Sequence, residues 1–347
     1  MHEKIVIGMS GGVDSSVAAM LLRDEGYDVL GVTLLLTPAG TPDGARDAEK
    51  VAAYLGIEHR TVDLRETFRE KVIDYFADEY LRGATPNPCV RCNAEIKFGA
   101  MLRYAESEGA SCVATGHYAR TQERNGRCCL LRSDSAKDQS YFLSMLRQEQ
   151  LRAAMFPIAG MEKADLRALA RENGLPVAEK KDSQEVCFIP DNDYVSYICT
   201  YRGIEPQAGD FVDTDGNVLG RHKGIFCYTV GQRKGLGAFG KPMFVTAIDP
   251  LNGRVILGEN GQQYAAGLRA SGMNWIAFET PPASFRCKVK IRFRAEPADA
   301  TAEVAGDTVR VRFDEPQRSV TPGQTVVFYD GDLVLGGGRI DSQEKEI

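Results

Sequence analysis

The sequence predicts an α/β domain with a doubly wound parallel sheet, followed by a β-rich half. Two observations support this prediction. In residues 1–202, short apolar runs alternate with segments of helical periodicity, which is typical of parallel βαβ units. Beyond these residues glycine and proline become frequent, and short β-type runs are separated by Asp-Gly and Asn-Gly turns. We therefore expect a small central β-rich domain at 203–266 and a C-terminal β-barrel domain at 267–347.

The individual elements follow from the period of the apolar residues. Strands of the first domain are predicted at residues 4–8, 28–35, 58–62 and 111–116. Its helices are predicted at residues 14–25, 46–55, 65–81, 93–108, 163–173 and 191–201. In the β-rich half, strands are predicted at residues 254–257, 287–293, 308–313 and 325–329. Strands and helices thus alternate in the first domain only, as a parallel sheet requires.

The 347 residues have the composition of an ordinary globular protein, with 43% hydrophobic and 26% charged residues. No apolar run approaches the roughly 18 residues of a membrane span, so we expect no membrane association. The first residues show no signal-peptide pattern, and we expect a cytoplasmic location. The net charge is −6, but nucleic-acid binding depends on a local basic patch and is not excluded. The nine cysteines are too few and too irregularly spaced to form a disulfide framework in a chain of this length.

A glycine- and serine-rich turn, GMSGGVDSS at residues 8–16, lies between the first predicted strand and the first predicted helix. Backbone N–H groups and the helix dipole favour a polyanion there, and Gly11 and Gly12 let the backbone approach phosphate oxygens. Asp14 indicates either a helix cap or a carboxylate that faces a metal ion. The spacing fits neither a Walker A loop nor a dinucleotide-binding fingerprint. The turn resembles the PP-loop of ATP pyrophosphatases, which implies that ATP adenylates a carbonyl oxygen and a nucleophile then displaces AMP.

Three cysteines lie in segments that indicate chemistry. Cys89 and Cys92 follow the prolines of the loop TPNPC, and Cys187 lies in the segment SQEVCFIP. We predict that Cys92 precedes a helix beginning at Asn93, whose dipole would lower the pKa of its thiol. The pattern leaves four alternatives open: a redox pair, half of a zinc site, a buried pair without chemistry, and an iron–sulfur cluster held by all three cysteines.

With the PP-loop, six further motifs occur in an order that resembles the MnmA/TrmU family of tRNA-specific 2-thiouridylases over nearly the whole chain. The motifs are TPNPCVRCNAEIKFG at 85–99, ATGHYA at 114–119, KDQSYFL at 137–143, SQEVCFIP at 183–190, YTVGQRKGLG at 228–237 and FDEPQRSVTPGQTVVFYDGDLVLGGG at 313–338. The resemblance implies a PP-loop, Rossmann-like catalytic domain that uses ATP and Mg²⁺. It implies that the C2 oxygen of the wobble uridine of tRNA is replaced by sulfur, with release of AMP and pyrophosphate. The implied partners are tRNA and a sulfur donor, either a cysteine desulfurase or a sulfur-relay protein.

The resemblance also implies roles for single residues. Cys187 would carry a persulfide, and Cys92 would be the nucleophile that helps to release the sulfur and can form a disulfide with Cys187. ATP contacts are implied for Gly8, Met9, Ser10, Gly11, Gly12, Val13, Asp14, Ser15, Leu34 and Gly116. Contacts to the target base are implied for Asn87, Pro88 and Cys89. Contacts to tRNA are implied for His117, Lys137, Asp138, Gln139, Arg292, Phe293 and Gln324.

Cys89 departs from the family pattern, because many members carry an aspartate here that has been suggested as an acid or base. In this sequence the Cys89 thiol must transfer the proton, or another group must do so. The alternative is that Cys89 is a ligand of an iron–sulfur cluster. The persulfide and the cluster mechanisms are therefore both open.

Five basic residues alternate in the run RCKVKIRFR at residues 286–294, which would place all five on one face of a strand. Like charges in such a row repel one another unless a polyanion or acidic side chains face them. We expect the phosphate backbone of tRNA to face them, with a solvated outer face as the alternative.

Three classes of function compete. The sequence favours a tRNA 2-thiouridylase. The runner-up is another PP-loop enzyme, one that forms 4-thiouridine or an amide, although nitrogen-transferring members need no paired thiols. The third is a persulfide carrier or tRNA-binding protein whose ATP site is idle.

Overall fold

The computed structural model describes residues 3–37, 42–180 and 186–345. The strands of the first domain are β1 (Lys4–Gly8), β2 (Asp28–Leu35), β3 (Glu58–Asp63), β4 (Cys112–Ala114), β5 (Ala119–Arg124), β6 (Arg127–Arg132) and β7 (Ala154–Met155). Its helices are α1 (Val13–Asp24), α2 (Pro42–Leu55), α3 (Arg65–Phe68), α4 (Asp74–Leu81), α5 (Pro88–Cys92), α6 (Met101–Ser107), α7 (Ser140–Leu143), α8 (Gln148–Arg152), α9 (Lys163–Glu172) and α10 (Tyr194–Arg202). The π-helical segments Arg69–Ile73 and Asn93–Ala100 join α3 to α4 and α5 to α6. Within the described ranges, no helix is both long enough and apolar enough to cross a bilayer.

Five of these strands form one parallel sheet in the order β3–β2–β1–β4–β7. Ile5, Val6 and Ile7 of the central strand β1 are all fully buried. Because consecutive side chains of a strand point to opposite faces, both faces of the sheet are covered. Helices α1, α2 and α9 pack on one face, and helices α5 to α8 pack on the other. The predicted doubly wound parallel sheet is confirmed.

One helix begins earlier than the sequence pattern predicts. The helix expected at residues 93–108 starts with α5 at Pro88. The Asn87 side chain caps α5 by accepting a hydrogen bond from the Val90 N–H at 3.3 Å, and Pro88 occupies the first helical position. An asparagine cap followed by proline is a common helix start, so the predicted start at Asn93 is wrong.

The structure contains a β-hairpin, formed by β5 and β6, that the apolar pattern does not predict. Its turn is Asn125-Gly126, and the two residues have positive φ values of 52° and 74°. Such a turn matches the twist of the flanking strands and is typical of two-residue hairpins. The hairpin lies outside the parallel sheet.

The β-rich half contains a four-stranded sheet and a closed barrel. The sheet has the order β10–β11–β8–β9 and consists of β8 (Gly209–Val212), β9 (Val218–His222), β10 (Phe244–Asp249) and β11 (Arg254–Gly258). The barrel strands are β12 (Tyr264–Trp275), β13 (Ser284–Lys290), β14 (Ala298–Ala305), β15 (Thr308–Arg318), β16 (Thr325–Asp330) and β17 (Leu333–Glu344). They pair in the order β12–β15–β14–β13–β16–β17, and β17 also pairs with β12, which closes the barrel. The predicted β-rich module and barrel are confirmed.

The barrel is docked on the first domain. Leu333 of β17 pairs with Leu131 of β6, which adds the hairpin to the barrel sheet. Val327, Tyr329 and Val334 of the barrel are buried in the same apolar cluster as helices α5 to α8. The barrel is therefore fixed next to the segment that carries Cys89 and Cys92.

Candidate active site

The PP-loop, residues 8–16, follows β1 directly and is fixed to β2. The Met9 N–H donates to Val32 O at 2.8 Å, and Thr33 Oγ1 donates to Met9 O at 2.8 Å. Gly11 has a φ of 70°, and a Cβ at this residue would lie 2.2 Å from Gly44 O in α2. Only glycine fits there, so the loop runs closely along the first turn of α2.

The start of α1 is arranged to receive an anion. Gly12 is the N-cap residue, and no side chain caps the helix. Ser15 Oγ accepts a hydrogen bond from the Ser10 N–H at 3.2 Å and lies 3.2 Å from Gly12 O, and Ser16 Oγ donates to Gly12 O at 2.8 Å. The hydroxyl groups order the turn, and the N–H groups of the first helical turn are left for a bound polyphosphate.

Asp14 is held by two side chains from outside the loop. Tyr118 Oη donates to Asp14 Oδ1 at 3.0 Å, and Lys163 Nζ donates to the same oxygen at 2.6 Å. Asp14 is in the first turn of α1 and is not its N-cap, so of the two alternatives the helix cap is wrong, and the carboxylate that faces a metal ion stays a prediction. Lys163, the first residue of α9, is a functional candidate that the sequence reasoning missed, because no motif includes it. Tyr118 belongs to the ATGHYA motif, and this motif could have indicated its place in the site.

Gly116 follows β4 and lies against the PP-loop. A Cβ at Gly116 would come within 2.8 Å of Asp14 C and Ser15 N. The glycine therefore permits a close approach at the carboxyl edge of the sheet, where ligands of such folds bind. Leu34, near the end of β2, is half-buried and packs against the clusters on the thiol side of the sheet. The ATP contacts of Leu34, Gly116 and the PP-loop stay a prediction.

The three predicted thiols lie within electrostatic range of one another. Burial raises the pKa of Cys92 to about 12, and the nearby Cys187 and Cys89 add to this shift. Burial also raises the pKa of Cys187, with Cys89 as a further cause. Cys92 packs in one apolar cluster with Val186 and Phe188, which flank Cys187, and Cys89 lies on the same short helix as Cys92, so the structure brings the three residues together. All nine cysteines are free thiols, and the disulfide between Cys92 and Cys187 stays a prediction.

The expectation of a lowered pKa for Cys92 is wrong. Because α5 begins at Pro88, Cys92 is the last residue of this helix and does not precede it. The side chain is buried in an apolar cluster that includes Ile96 and Phe188. Burial disfavours the thiolate, and this effect exceeds any contribution from a helix dipole.

Cys89 and Cys187 are accessible at the surface, in contrast to Cys92. Cys89 is the second residue of α5, beside the cap residue Asn87. Desolvation by neighbouring residues nevertheless raises the pKa of both accessible thiols. An outside sulfur donor can therefore reach Cys89 and Cys187, whereas Cys92 is enclosed.

Lys97 supplies positive charge to this thiol cluster. Against the effect of burial, its charge lowers the pKa of each thiol in the set Cys89, Cys92 and Cys187. Lys97 is half-buried and lies five residues after Cys92 in the π-helical segment Asn93–Ala100. Single π-helical turns are frequent at functional sites. The sequence reasoning missed Lys97, although it is part of the motif TPNPCVRCNAEIKFG at residues 85–99.

The three cysteines do not fit the zinc site or the iron–sulfur cluster that the cysteine spacing left open. Within the described residues, no group of three or more histidine, cysteine, aspartate or glutamate side chains is arranged to hold a metal ion. Cys89, Cys92 and Cys187 thus lack the arrangement that a zinc site or an iron–sulfur cluster requires. In this structure they are free thiols.

His117 is part of the domain interior. It is buried, and its Nδ1 lies 2.8 Å from Thr115 Oγ1. Its ring lies 6.3 Å from the rings of Phe98 and Phe156. Burial lowers the pKa of His117 well below its usual value, with the charge of Lys97 as a second cause. His117 is therefore neutral at physiological pH, and its contact with tRNA stays a prediction.

The KDQSYFL motif builds the loop before α7. Asp138 is buried and accepts hydrogen bonds from the Ser133 N–H and from Ser140 Oγ, both at 3.0 Å. Gln139 Oε1 accepts a hydrogen bond from a backbone N–H of the ATGHYA motif at 3.1 Å. Lys137 is exposed. The tRNA contacts of these three motif residues stay a prediction, and the structure gives Asp138 and Gln139 a role in holding the loop.

Two of the three predicted tRNA-binding residues of the barrel lie at its junction with the first domain. Phe293 packs on Phe142, with ring centroids 4.3 Å apart, and Arg292 donates to a backbone carbonyl at 3.4 Å. Gln324 contacts the backbone of the TPNPC loop. Phe293 and Gln324 thus contact the first domain, whereas the hydrogen bond of Arg292, to Arg318 O, lies within the barrel. The contacts of all three residues with tRNA stay a prediction.

The basic run RCKVKIRFR is only partly a strand. β13 ends at Lys290, so Arg292 and Arg294 lie beyond it, and the expectation that all five basic residues share one strand face is wrong. Two of the three that remain are neutralised by carboxylates of other barrel strands, in the ion pairs Arg286–Asp314 with β15 and Lys288–Asp299 with β14. A backbone bend and local acidic partners therefore weaken the expectation that this run binds the phosphate backbone of tRNA.

The sequence matches three described domain families. The tRNA methyl transferase HUP domain matches residues 3–191, the tRNA methyl transferase PRC-barrel domain matches 196–259, and the aminomethyltransferase beta-barrel domain matches 265–340. The first of these families alone covers more than half of the chain. The division into domains at 1–202, 203–266 and 267–347 stays a prediction.

Curated relatives match the chain over nearly its full length. The tRNA-specific 2-thiouridylase MnmA of Clostridioides difficile (strain 630) is 48% identical over 356 residues, covering 98% of this chain and 99% of the relative. That of Desulfitobacterium hafniense (strain Y51) is 48% identical over 362 residues, covering 97% and 98%. Among solved structures, an NMN synthetase from Francisella tularensis is 18% identical, covers 59% of this chain and 79% of its own, and has a TM-score of 0.36, which supports no conclusion. On the evidence of the sequence relatives, the chain belongs to the family of tRNA-specific 2-thiouridylases, whose PP-loop implies the use of ATP.

Proposed function

We propose that this chain is an ATP-dependent tRNA-uridine 2-sulfurtransferase that converts the wobble uridine of tRNA to 2-thiouridine. The observation that carries the proposal is a cluster of two accessible thiols and one enclosed thiol, on a domain that also has a PP-loop. An adenylating loop and a thiol nucleophile are what the ATP-dependent thiolation of a carbonyl carbon requires. The names of the relatives, tRNA-specific 2-thiouridylases, support the choice of tRNA and of the C2 position.

The PP-loop would hold ATP for the first step. The C2 oxygen of the uridine attacks the α-phosphorus, pyrophosphate leaves, and the oxygen becomes part of an AMP leaving group. The uncapped N–H groups at the start of α1 stabilise the charge on the phosphates. Gly11 and Gly116 provide the close backbone approach, and Lys163 fixes the Asp14 carboxylate beside the loop.

Mg²⁺ would be bound mainly by the phosphate oxygens of ATP. Asp14 is the carboxylate of the loop, but its Oδ1 already accepts hydrogen bonds from Tyr118 and Lys163. Its Oδ2 would be the oxygen that contacts the cation or its waters, which suits the preference of Mg²⁺ for few protein ligands. When bound, the ion neutralises charge on the phosphates.

Sulfur transfer would use Cys187 and Cys92 in turn. Cys187 is accessible, and a cysteine desulfurase or sulfur-relay protein would deliver sulfur to it as a persulfide. The terminal sulfur attacks C2 and AMP leaves, giving a C2–S–S–Cys187 linkage. Cys92 then attacks Cys187 Sγ and gives up its proton to the departing base, which forms the Cys92–Cys187 disulfide and leaves the other sulfur on C2. A thiol reductant from solution reduces the disulfide before the next turnover.

Cys89 would contact the target base together with Asn87 and Pro88. Desolvation raises the pKa of Cys89, so the residue carries its proton at neutral pH. A protonated thiol suits a proton or hydrogen-bond donor and does not suit a general base. Cys89 would therefore act as an acid where many family members carry aspartate.

The iron–sulfur alternative has no support in the geometry, because the three thiols lack the arrangement of a metal-binding group within the described part of the chain. The proposed mechanism therefore uses persulfide chemistry throughout. Because its substrate is tRNA, the enzyme would act in the cytoplasm.

The test is product analysis by nucleoside mass spectrometry. The purified chain is incubated with ATP, Mg²⁺, a persulfide donor and an unmodified tRNA transcript with uridine at the wobble position. We expect 2-thiouridine, with one AMP and one pyrophosphate for each product. A transcript with cytidine at this position is the matched control and should give no thiolated product. Formation of 4-thiouridine, or no product despite bound tRNA, would contradict the proposal.

A further inference from the structure

A turn of the barrel, residues 321–324, holds the backbone of the TPNPC loop. Gln324 Nε2 donates to Thr85 O at 2.8 Å and to Pro86 O at 3.3 Å. In return, the Thr85 N–H donates to Pro322 O at 2.9 Å. The barrel thus makes three hydrogen bonds to two consecutive residues of the loop.

Gly323 brings the two backbones into direct contact. Its φ is 89°, which favours glycine. A Cβ at Gly323 would lie 2.8 Å from the Thr85 N atom and 2.9 Å from Ala84 Cβ. A side chain does not fit between the turn and the loop, so the contact is close as well as hydrogen-bonded.

The turn is itself fixed on the barrel side. The Gly323 N–H donates to Ile340 O, and the Ile340 N–H donates to Gln324 O, both at 2.8 Å. The strand that follows the turn is also held from the first domain, where Tyr141 Oη of α7 donates to Thr325 O at 2.8 Å. The Gln324 side chain therefore projects from a rigid support.

The loop leads directly to the thiols. Pro86 is followed by Asn87, the cap residue of α5, and Cys89 and Cys92 are the second and last residues of that helix. A second barrel contact lies upstream, where Arg339 Nη1 donates to the buried Glu79 carboxylate at 2.5 Å. The segment between Glu79 and α5 is therefore attached to the barrel near both of its ends.

We propose that Gln324 is a positioning residue, which sets the place of α5 and hence of Cys92 by clamping the Thr85 and Pro86 carbonyls to the barrel. Its amide nitrogen lies within hydrogen-bond distance of both loop carbonyls, so its donor group acts within the protein. The role of these thiols in sulfur transfer rests on the proposed function, whereas the clamp does not.

The test is carried out in the absence of ATP and tRNA and measures how often Cys92 becomes accessible to solvent. Cys92 is buried, so its alkylation by iodoacetamide requires local opening of α5. Gln324→Met keeps the length of the side chain and removes the donors. We expect the alkylation rate of Cys92, followed by peptide mass spectrometry, to rise roughly 2- to 10-fold, as the loss of one or two net hydrogen bonds implies.

Gln343→Met is the matched control. Gln343 is also a barrel glutamine whose Nε2 donates to a backbone carbonyl of another domain, that of Thr246, at 2.5 Å. It has no contact with the TPNPC loop among its described hydrogen bonds, so the alkylation rate of Cys92 should stay at the wild-type value. A melting temperature close to wild type verifies that each variant folds. If Gln324→Met fails to fold, Gln324→Asn, which keeps the amide one methylene shorter, should give a smaller rise in the same rate.

Thiolation kinetics separate this role from a direct contact with tRNA. We expect Gln324→Met to lower kcat for thiolation while KM for tRNA stays within about twofold. A higher KM with unchanged kcat and unchanged Cys92 alkylation would overturn the clamp and leave only tRNA binding. If the wild-type chain makes no thiouridine, the proposed function fails. The difference in the Cys92 alkylation rate between Gln324→Met and Gln343→Met still tests whether Gln324 positions the loop.

Discussion

Lys163 Nζ lies 2.6 Å from Asp14 Oδ1 and joins the first residue of α9 to the first turn of α1. The two residues are separated by most of the first domain in sequence. Tyr118 Oη donates to the same carboxylate oxygen at 3.0 Å. The carboxylate next to the PP-loop is thus held in one place by the folded domain before any nucleotide binds.

We expect Lys163→Met to weaken the adenylation step, because the Asp14 carboxylate loses a charged partner beside the phosphates. Loss of a hydrogen bond to a charged group costs about 1.5–3 kcal/mol, so kcat/KM for ATP should fall roughly 10- to 100-fold. The measurement is tRNA-dependent release of AMP. Lys241→Met is the matched control, because Lys241 pairs with Glu259 at the surface of the central domain and should leave the rate unchanged. Undiminished AMP release in Lys163→Met would contradict the assignment.

We expect Cys187→Ser to abolish 2-thiouridine formation and to leave tRNA binding within about twofold of wild type, because a hydroxyl group cannot carry sulfane sulfur. Thiolation is measured by nucleoside mass spectrometry, and binding by filter retention of labelled tRNA. Cys199→Ser, on α10, is the matched control and should retain activity. Turnover by Cys187→Ser would remove the persulfide role from this residue.

We expect Lys97→Met to shift sulfur transfer towards higher pH. The charge of Lys97 lowers the pKa of Cys187 and Cys92 against the larger effect of burial, so its removal raises both pKa values and reduces the thiolate at any given pH. The check is the pH dependence of Cys187 alkylation, whose rising limb should move to higher pH. Lys288→Met, which removes a lysine paired with Asp299 on the barrel, should leave the profile in place. An unchanged profile in Lys97→Met would refute the electrostatic role.

The raised pKa of Cys92 should make the folded chain lose stability in alkaline solution. Burial raises this pKa from 9.0 to about 12, so the unfolded chain releases the proton first as the pH rises above 9. The free energy of unfolding should therefore fall by about 1 kcal/mol between pH 9 and 10 on account of this one group. Cys92→Ala removes this titrating group. Urea denaturation of the variant should therefore show a smaller fall in the free energy of unfolding over this pH range than in wild type. Equal losses would mean that the thiol is less enclosed than the structure indicates.

The parallel sheet and the PP-loop could be predicted because their signals are local. An uninterrupted apolar run gives a buried strand, and the glycines of the PP-loop are needed wherever a backbone approaches phosphate. The hairpin at Asn125-Gly126 and the start of α5 at Pro88 also had local signals, a turn dipeptide and a cap followed by proline, which the apolar periods obscured.

The electrostatics of the site could not be predicted from sequence. The pKa of Cys92 depends on burial against Phe188, which is distant in sequence, and this contact reverses the direction expected from a neighbouring helix. The pairing of Lys163 with Asp14 and the contact of Gln324 with the TPNPC loop likewise join residues more than 100 positions apart. Only the folded structure reveals such relationships.

Cys187 is proposed to carry the sulfur and Cys92 to release it, and a single-turnover experiment on iron-free protein tests these two roles most directly. Protein is loaded with persulfide, separated from the donor, and mixed with ATP, Mg²⁺ and unmodified tRNA. We predict one 2-thiouridine for each Cys92–Cys187 disulfide, both quantified by mass spectrometry. No product from the persulfidated iron-free protein, with activity that returns in proportion to added iron and sulfide, would contradict both roles.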